Sequence, residues 1–207
     1  MSSVAPRAAT EYVTIAKRMT MQPTPRAKLL FLIGIFVVPV LLAYLAYFGL
    51  RPTAHSNYGD LLPVTPLQHT GGVSGEGGAF DLTSLRGKWL MVHVGPSRCD
   101  AACQQQLYLM RQIRIAQGKE QSRIERLWVV TDGGALSPAL LQEHPGLHVW
   151  RPDSVAFVAQ FPATVPRSAH IYLVDPLGNL MMRFPVQPAP KEVMKDLRLL
   201  LKASQIG

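Results

Sequence analysis

Two hydrophobic patterns divide the chain. From Leu29 to Leu50 there are 22 consecutive uncharged positions, most of them large and apolar. Wound as a helix, that run is about 33 Å long, enough to cross the hydrocarbon core of a bilayer. Pro39 lies in its middle, where membrane helices tolerate proline, and Tyr44, Tyr47 and Phe48 lie toward one end, where aromatic side chains favour the interface. The run is longer than the apolar region of a cleaved signal, and no small-x-small site ends it cleanly. An uncleaved transmembrane helix is therefore expected over 29–50, behind a tail of residues 1–28. Residues 51–78 are rich in Pro, Gly, Thr and Ser and read as a tether.

From Ala79 the apolar residues come in short blocks. Phe80 to Leu82 reads as a short edge strand. Trp89-Leu90-Met91-Val92-His93-Val94 and Leu127-Trp128-Val129-Val130 have the continuous apolar character of strands covered on both faces. Between them, Cys99 to about Ala116 has helical spacing, with Ala102, Leu109, Ile113 and Ala116 on one stripe and Gly118 as the stop. Ser137-Pro138 and Asp153-Ser154 are N-cap signals for short helices. Ala169 to Val174 and Asn179 to Phe184 form a hairpin around Asp175-Pro176-Leu177-Gly178. Lys191 to Ser204 is an amphipathic helix with Val193, Leu197, Leu200 and Leu201 inward. The order β-α-β-α-β-β-α, with two cysteines at the first strand–helix junction, predicts an α/β fold: a thioredoxin-like three-layer sandwich over 79–207.

Charge adds an orientation. The tail carries Arg7, Lys17, Arg18, Arg26 and Lys28 against Glu11, so it holds half of the net charge of +8. Beyond the span, Arg51 is followed by no Lys or Arg until Arg86. The positive-inside rule puts the N-terminus in the cytoplasm and the domain outside the cytoplasmic membrane, in the periplasm of a two-membrane cell. The remaining charge forms no basic run, which excludes nucleic acid as a partner.

Cys99 and Cys103 are the only cysteines. A spacing of four puts both sulfurs on one face of a helix's first turn, where unpaired N–H groups and the helix dipole favour a thiolate. Three readings stand. One is a structural disulfide, although so short a loop gains only about 2 kcal/mol from chain entropy. Another is a dithiol that exchanges disulfides, with Cys99 attacking, Cys103 resolving and Arg98 adding to the thiolate's stabilisation. The last is copper held by both sulfurs, soft donors suited to Cu(I).

Gly87-Lys88-Trp89, the strand after it, and Gly95-Pro96-Ser97-Arg98-Cys99-Asp100-Ala101-Ala102-Cys103 resemble the Sco/SenC family. So does Tyr172-Leu173-Val174-Asp175-Pro176-Leu177-Gly178-Asn179. The resemblance implies a membrane-anchored thioredoxin-fold protein that helps assemble the copper centre of cytochrome c oxidase, with an oxidase subunit or another assembly factor as partner. There are departures. Gln104 stands where the family usually has Pro, and the family's copper-binding His falls on Arg167, a cation that cannot ligate a metal ion. Val165-Pro166 instead resembles the cis-proline site of thiol–disulfide thioredoxins, which tilts the expectation toward a thiol–disulfide oxidoreductase.

His170, three residues beyond Arg167 on the same expected strand but facing the other way, is the candidate third copper ligand. His93, between two valines, reads as a satisfied core histidine, and His144 and His148 as loop residues. Asp132 before Gly133-Gly134 reads as turn chemistry. Of Met181 and Met182, one is expected to face the core, as are Trp89, Trp128 and Trp150. A scaffold protein that has kept the fold and lost the site remains the reading of a different class.

Overall fold

The computed structural model describes residues 24–49, 57–68, 71–75, 77–204 and 206, in two units, Met1–Ala54 and His55–Gly207. In the first, α1 spans Pro25–Gly49 and contains Pro39. Thr24 starts it: its carbonyl accepts from the Lys28 N–H at 3.1 Å, and Pro25 occupies the first turn, where a missing N–H is harmless. Arg26 and Lys28, expected in the tail, therefore lie inside the helix. Pro25–Phe48 is long and apolar enough to cross a membrane. Tyr44 and Tyr47 both pack on Phe48 near its end, at ring separations of 4.5 and 5.0 Å. The basic tail up to residue 23, Leu50 at the end of the expected span, and residues 51–56 fall outside the described residues.

The second unit is one seven-stranded sheet: β1 (Asp60–Pro66), β2 (Gly72–Ser74), β3 (Trp89–Gly95), β4 (Ile124–Val130), β5 (Leu147–Pro152), β6 (Ile171–Val174) and β7 (Asn179–Arg183). The spatial order is β1-β7-β6-β3-β4-β5-β2. β3, β4 and β5 run parallel, and the other pairings are antiparallel. The central β3 is buried along its whole length, as its apolar pattern requires.

Helices cover both faces. On one lie α2 (Ala101–Ala116), α3 (Pro138–Glu143) and α5 (Pro190–Ala203), packed on Trp89, Met91, Trp128, Ile171 and Leu173. On the other, α4 (Val155–Ala159) and a 3-10 turn, Leu82–Leu85, cover Leu90, Val92, Val94, Val129 and Tyr172. This is the thioredoxin-like three-layer sandwich. Ser137 and Ser154 cap α3 and α4 with their side chains, as their positions predict. Met182 and the three tryptophans are buried.

Four expectations change. The segment taken as tether supplies both edge strands. Its Pro63 and Pro66 fit β1 because an edge strand leaves one side of its backbone unpaired. The buried Asp196 of α5 holds this lead-in by accepting from the Tyr58 and Gly59 N–H groups at 2.8 and 2.9 Å. The short strand expected at Phe80–Leu82 is instead a single bridge from Ala79 to Val73, followed by the 3-10 turn that Asp81 caps. α2 buries Leu109 and Ile113 as expected, together with Cys103, Gln106, Leu107 and Met110, a stripe turned away from Ala102 and Ala116, which are exposed. Finally, His148 lies in β5, its Nε2 3.5 Å from Glu125, and His144 is buried behind the end of α3, so neither is an open loop residue.

Candidate functional site

The C-terminal ends of β3 and β4 form one corner. Gly95 ends β3, and its carbonyl accepts from the Thr131 N–H at 3.1 Å, which ties the two strand exits together. The chain then turns through Pro96-Ser97-Arg98 into the cysteines. Ser97 is buried, and its N–H donates to Asp132 Oδ1 at 2.8 Å. Asp132 also accepts from the Gly134 N–H at 3.4 Å, so it does the expected turn chemistry and in addition clamps the cysteine loop. The Ser97 N–H, and then its hydroxyl, hold the Asp132 carboxyl below the usual carboxylate range. Arg151 of β5 braces this loop by donating to the carbonyls of Asp132 and Gly134.

Cys99 and Cys103 are joined in a disulfide with their Cα atoms 5.2 Å apart, well within the ordinary range for such a bond. Cys99 lies before the helix and is half-exposed, whereas Cys103 sits in the first turn of α2 at 5 % exposure. Asp100 is the N-cap: its Oδ1 accepts from the Cys103 N–H at 2.9 Å. The Cys103 N–H expected to favour a thiolate is thus already engaged by a carboxylate. Gln104, which stands in place of the family's proline, donates from its side chain to the Cys99 carbonyl at 3.1 Å and closes the loop over Asp100.

The other expected site residues divide between the two faces. Arg98 is exposed beside Cys99. Pro166 is exposed, and the peptide bonds of the described residues are all trans, so the likeness to a cis-proline site does not extend to geometry. Arg167 is not on a strand at all. It opens a 3-10 turn, Arg167–Ala169, and its Nε donates to the Phe161 carbonyl at 2.7 Å on the α4 face. His170, just before β6, is buried, with Nδ1 2.8 Å from the Phe184 carbonyl. Its ring contacts Tyr172 at 6.0 Å and continues an aromatic series through Phe161, Phe157 and Trp150. That series belongs to the core opposite Cys103. Among the described residues, no three His, Cys, Asp or Glu side chains come together as a metal site.

His93 is the imidazole on the same face as Cys103. It is fully buried, near Trp128, and Nδ1 is 3.1 Å from Oε1 of the buried Gln106 of α2. Burial pushes its pKa down to about 4, against the raising effects of Gln106 and of the Asp100 charge. The expected satisfied core histidine is therefore satisfied at one nitrogen only, since Nε2 has no partner among the described residues. Asp100 was legible as a cap residue three before Cys103. Gln106 had one signal, a polar residue three after Cys103 on a helix face that the sheet must cover.

The arrangement can open and close one disulfide at a braced corner, with one sulfur reachable and the other enclosed. A search of curated proteins returns no match to the chain. Solved structures do match. Yeast Sco1 with copper bound is 20 % identical, with a TM-score of 0.57 over 69 % of this chain and 96 % of that one. Apo Sco1 from Thermus thermophilus is 20 % identical, with 0.55 over 72 % and 99 %. BsSco, described with a disulfide switch and as a member of the Sco family of cytochrome c oxidase assembly proteins, is 15 % identical, with 0.52 over 70 % and 98 %. These likenesses establish a Sco/SenC-like fold. The family model of the transmembrane-like, thioredoxin-like C-terminal domain matches residues 89–204, and the chain belongs to that family.

Proposed function

We propose that this chain is a membrane-anchored thiol–disulfide exchange protein that acts outside the cytoplasmic membrane in maturation of the copper centre of cytochrome c oxidase. The observation that carries the reading is the asymmetric disulfide, half-exposed at Cys99 and enclosed at Cys103. In the reducing direction, the Cys99 thiolate attacks a partner disulfide and expels one partner sulfur, which takes a proton. The Cys103 sulfur, as it loses its proton, then attacks Cys99. This closes the Cys99–Cys103 bond and releases the second partner sulfur, so two electrons have passed to the partner. The reverse sequence oxidises a partner dithiol, and a second dithiol–disulfide protein returns the pair to its starting state. The oxidase connection rests on the Sco-like fold and on BsSco being a member of a family of cytochrome c oxidase assembly proteins. Helix α1 and the charge bias around it support the anchor and its orientation.

The test is equilibrium with glutathione, together with trapping. Reduction within the range of exchange proteins is expected, and a Cys103→Ser variant should hold a partner on Cys99 as a mixed disulfide. A disulfide resistant below about −300 mV belongs with structural bridges and ends the exchange reading. Normal oxidase activity in cells carrying Cys99→Ser/Cys103→Ser would leave only the scaffold.

Copper delivery is the second reading, favoured by the two sulfurs themselves, a soft donor pair for Cu(I) once reduced. Copper is cargo in this reading. The donor set fits Cu(I) on two sulfurs better than Cu(II), which asks for an imidazole, and among the described residues no metal-binding group of three includes one beside them. Tight Cu(I) binding should need both sulfurs, and unchanged retention in the double serine variant rules it out.

A further inference from the structure

The exchange chemistry leaves unused one buried group on the face of the sheet that packs against Cys103. His93 faces the oxygen of Gln106 through Nδ1, so Nδ1 is the protonated nitrogen and Nε2 carries a bare lone pair. Nε2 has no partner among the described residues. Its direction follows from Gly95. A Cβ added there would sit 2.8 Å from Nε2 and 3.3 Å from the Ser168 Cβ. The ring therefore reaches from Gln106 at one nitrogen to the C-terminal end of β3 at the other. α2 starts at that end and runs back along the strand. Cys103, one turn ahead of Gln106 and on the same buried stripe, thus lies over the end toward which Nε2 is aimed.

We propose that Nε2 of His93 accepts a hydrogen bond from the Cys103 thiol when the pair is reduced, so that His93 and Gln106 are positioning residues that favour the dithiol. The inference rests on the exchange reading. In the disulfide the Cys103 sulfur carries no hydrogen, and Nε2 remains an unsatisfied buried acceptor. Reduction by two thiols of glutathione or a partner adds two electrons and two protons and breaks the bond between the sulfurs. It leaves an S–H on Cys103 to meet that acceptor. A hydrogen bond present in one redox state alone shifts the equilibrium toward that state. Burial keeps the imidazole neutral at physiological pH, so the lone pair is free. Asp100, the N-cap of α2, is the charged group coupled to it. Trp128 of β4, Ile171 of β6 and Ser168 of the adjoining turn are uncharged.

The experiment equilibrates the full chain in detergent with glutathione buffers and counts the dithiol by alkylation. His93→Phe, which cannot accept, should lower the equilibrium constant for reduction about fivefold, the effect of one ordinary hydrogen bond. His93→Gln, which keeps an acceptor, should stay within about twofold of wild type, which a purely structural role would not distinguish. An unchanged constant in folded His93→Phe, or an equal shift in both variants, overturns the proposal. Where His93→Phe does not fold, the wild-type protein decides. The His93 Nε2 nitrogen resonance should move to a hydrogen-bonded position on reduction, and no movement overturns the inference. Failure of the exchange reading looks different: the wild-type disulfide then stays oxidised in every buffer, and the inference falls with it.

Discussion

His93 lies in β3 and His170 just before the neighbouring β6, both buried, both with Nδ1 hydrogen-bonded and Nε2 unpartnered among the described residues. What separates them is strand parity. Ile171 pairs with His93 in the ladder and shares its face, so His170, one residue earlier, belongs to the other face, against Tyr172. Only His93 lies in the layer that holds Cys103. Nearness in sequence to a family's metal-binding position pointed to His170. The two-residue period of a pleated strand points to His93. Which imidazole can serve the sulfurs is decided by the face it occupies, not by its burial.

The largest expected effect tests how deeply His93 is sealed. Its folded pKa of about 4 lies below the ordinary histidine value near 6.5, so the folded state binds fewer protons than the unfolded chain across that interval. The stability it contributes is fully present above about pH 6.5 and is lost as pH falls toward 4, about 3 kcal/mol in all. Thermal unfolding of the oxidised protein should follow that slope, and His93→Gln should flatten it. A slope that survives the substitution assigns the effect to another group and removes the contrast between the two histidines.

Next is Gly95, where the missing side chain makes room for the His93 ring. Gly95→Ala places a methyl group 2.8 Å from Nε2, and the expected destabilisation is about 2 kcal/mol by chemical unfolding, with a shift in the glutathione equilibrium as the ring is displaced. Gly133 is the control at the same corner. A Cβ there meets nothing within 4 Å, and Gly133→Ala should leave both measurements close to wild type. Equal losses at the two glycines would show that the corner responds to glycine replacement in general and not to the imidazole.

Much of this was legible in the sequence because it is local. The apolar blocks of β3 and β4, the serine caps of α3 and α4 and the turn at Asp175–Gly178 each follow from neighbours a few residues apart, and they suffice for the layer order. The edge strands were not legible, since β1 is held by β7 and by Asp196, 136 positions after Asp60 in the chain, and its prolines mimic a linker. The cysteine pair, its junction and the cap at Asp100 were readable. The fate of Arg167 was not, because the 3-10 turn that carries it delays the start of the expected strand to Ile171 and sends its guanidinium to Phe161. The pairing of Gln106 with His93, and the free nitrogen it leaves, emerge only when helix and strand are packed together, since the spacing of Gln106 from Cys103 gives its helix face and not its partner.

The smallest expected effect falls on His170, and it is the sharpest check on the comparison. His170→Phe removes the N–H that the Phe184 carbonyl accepts, which should reduce stability by about 1 kcal/mol. Its ring is directed at Tyr172 and away from the sulfurs, so the glutathione equilibrium should stay within about twofold of wild type and Cu(I) retention should not change. The stability loss and the unchanged chemistry must appear together: the first shows that the substitution reached a buried group, the second that this group does not act on the cysteines. Loss of copper with the disulfide equilibrium intact would make His170 a ligand, and would require the turn at Arg167–Ala169 to rearrange when metal arrives. The fold would then hold its two histidines for different states of the same corner, His93 for the dithiol and His170 for the metal.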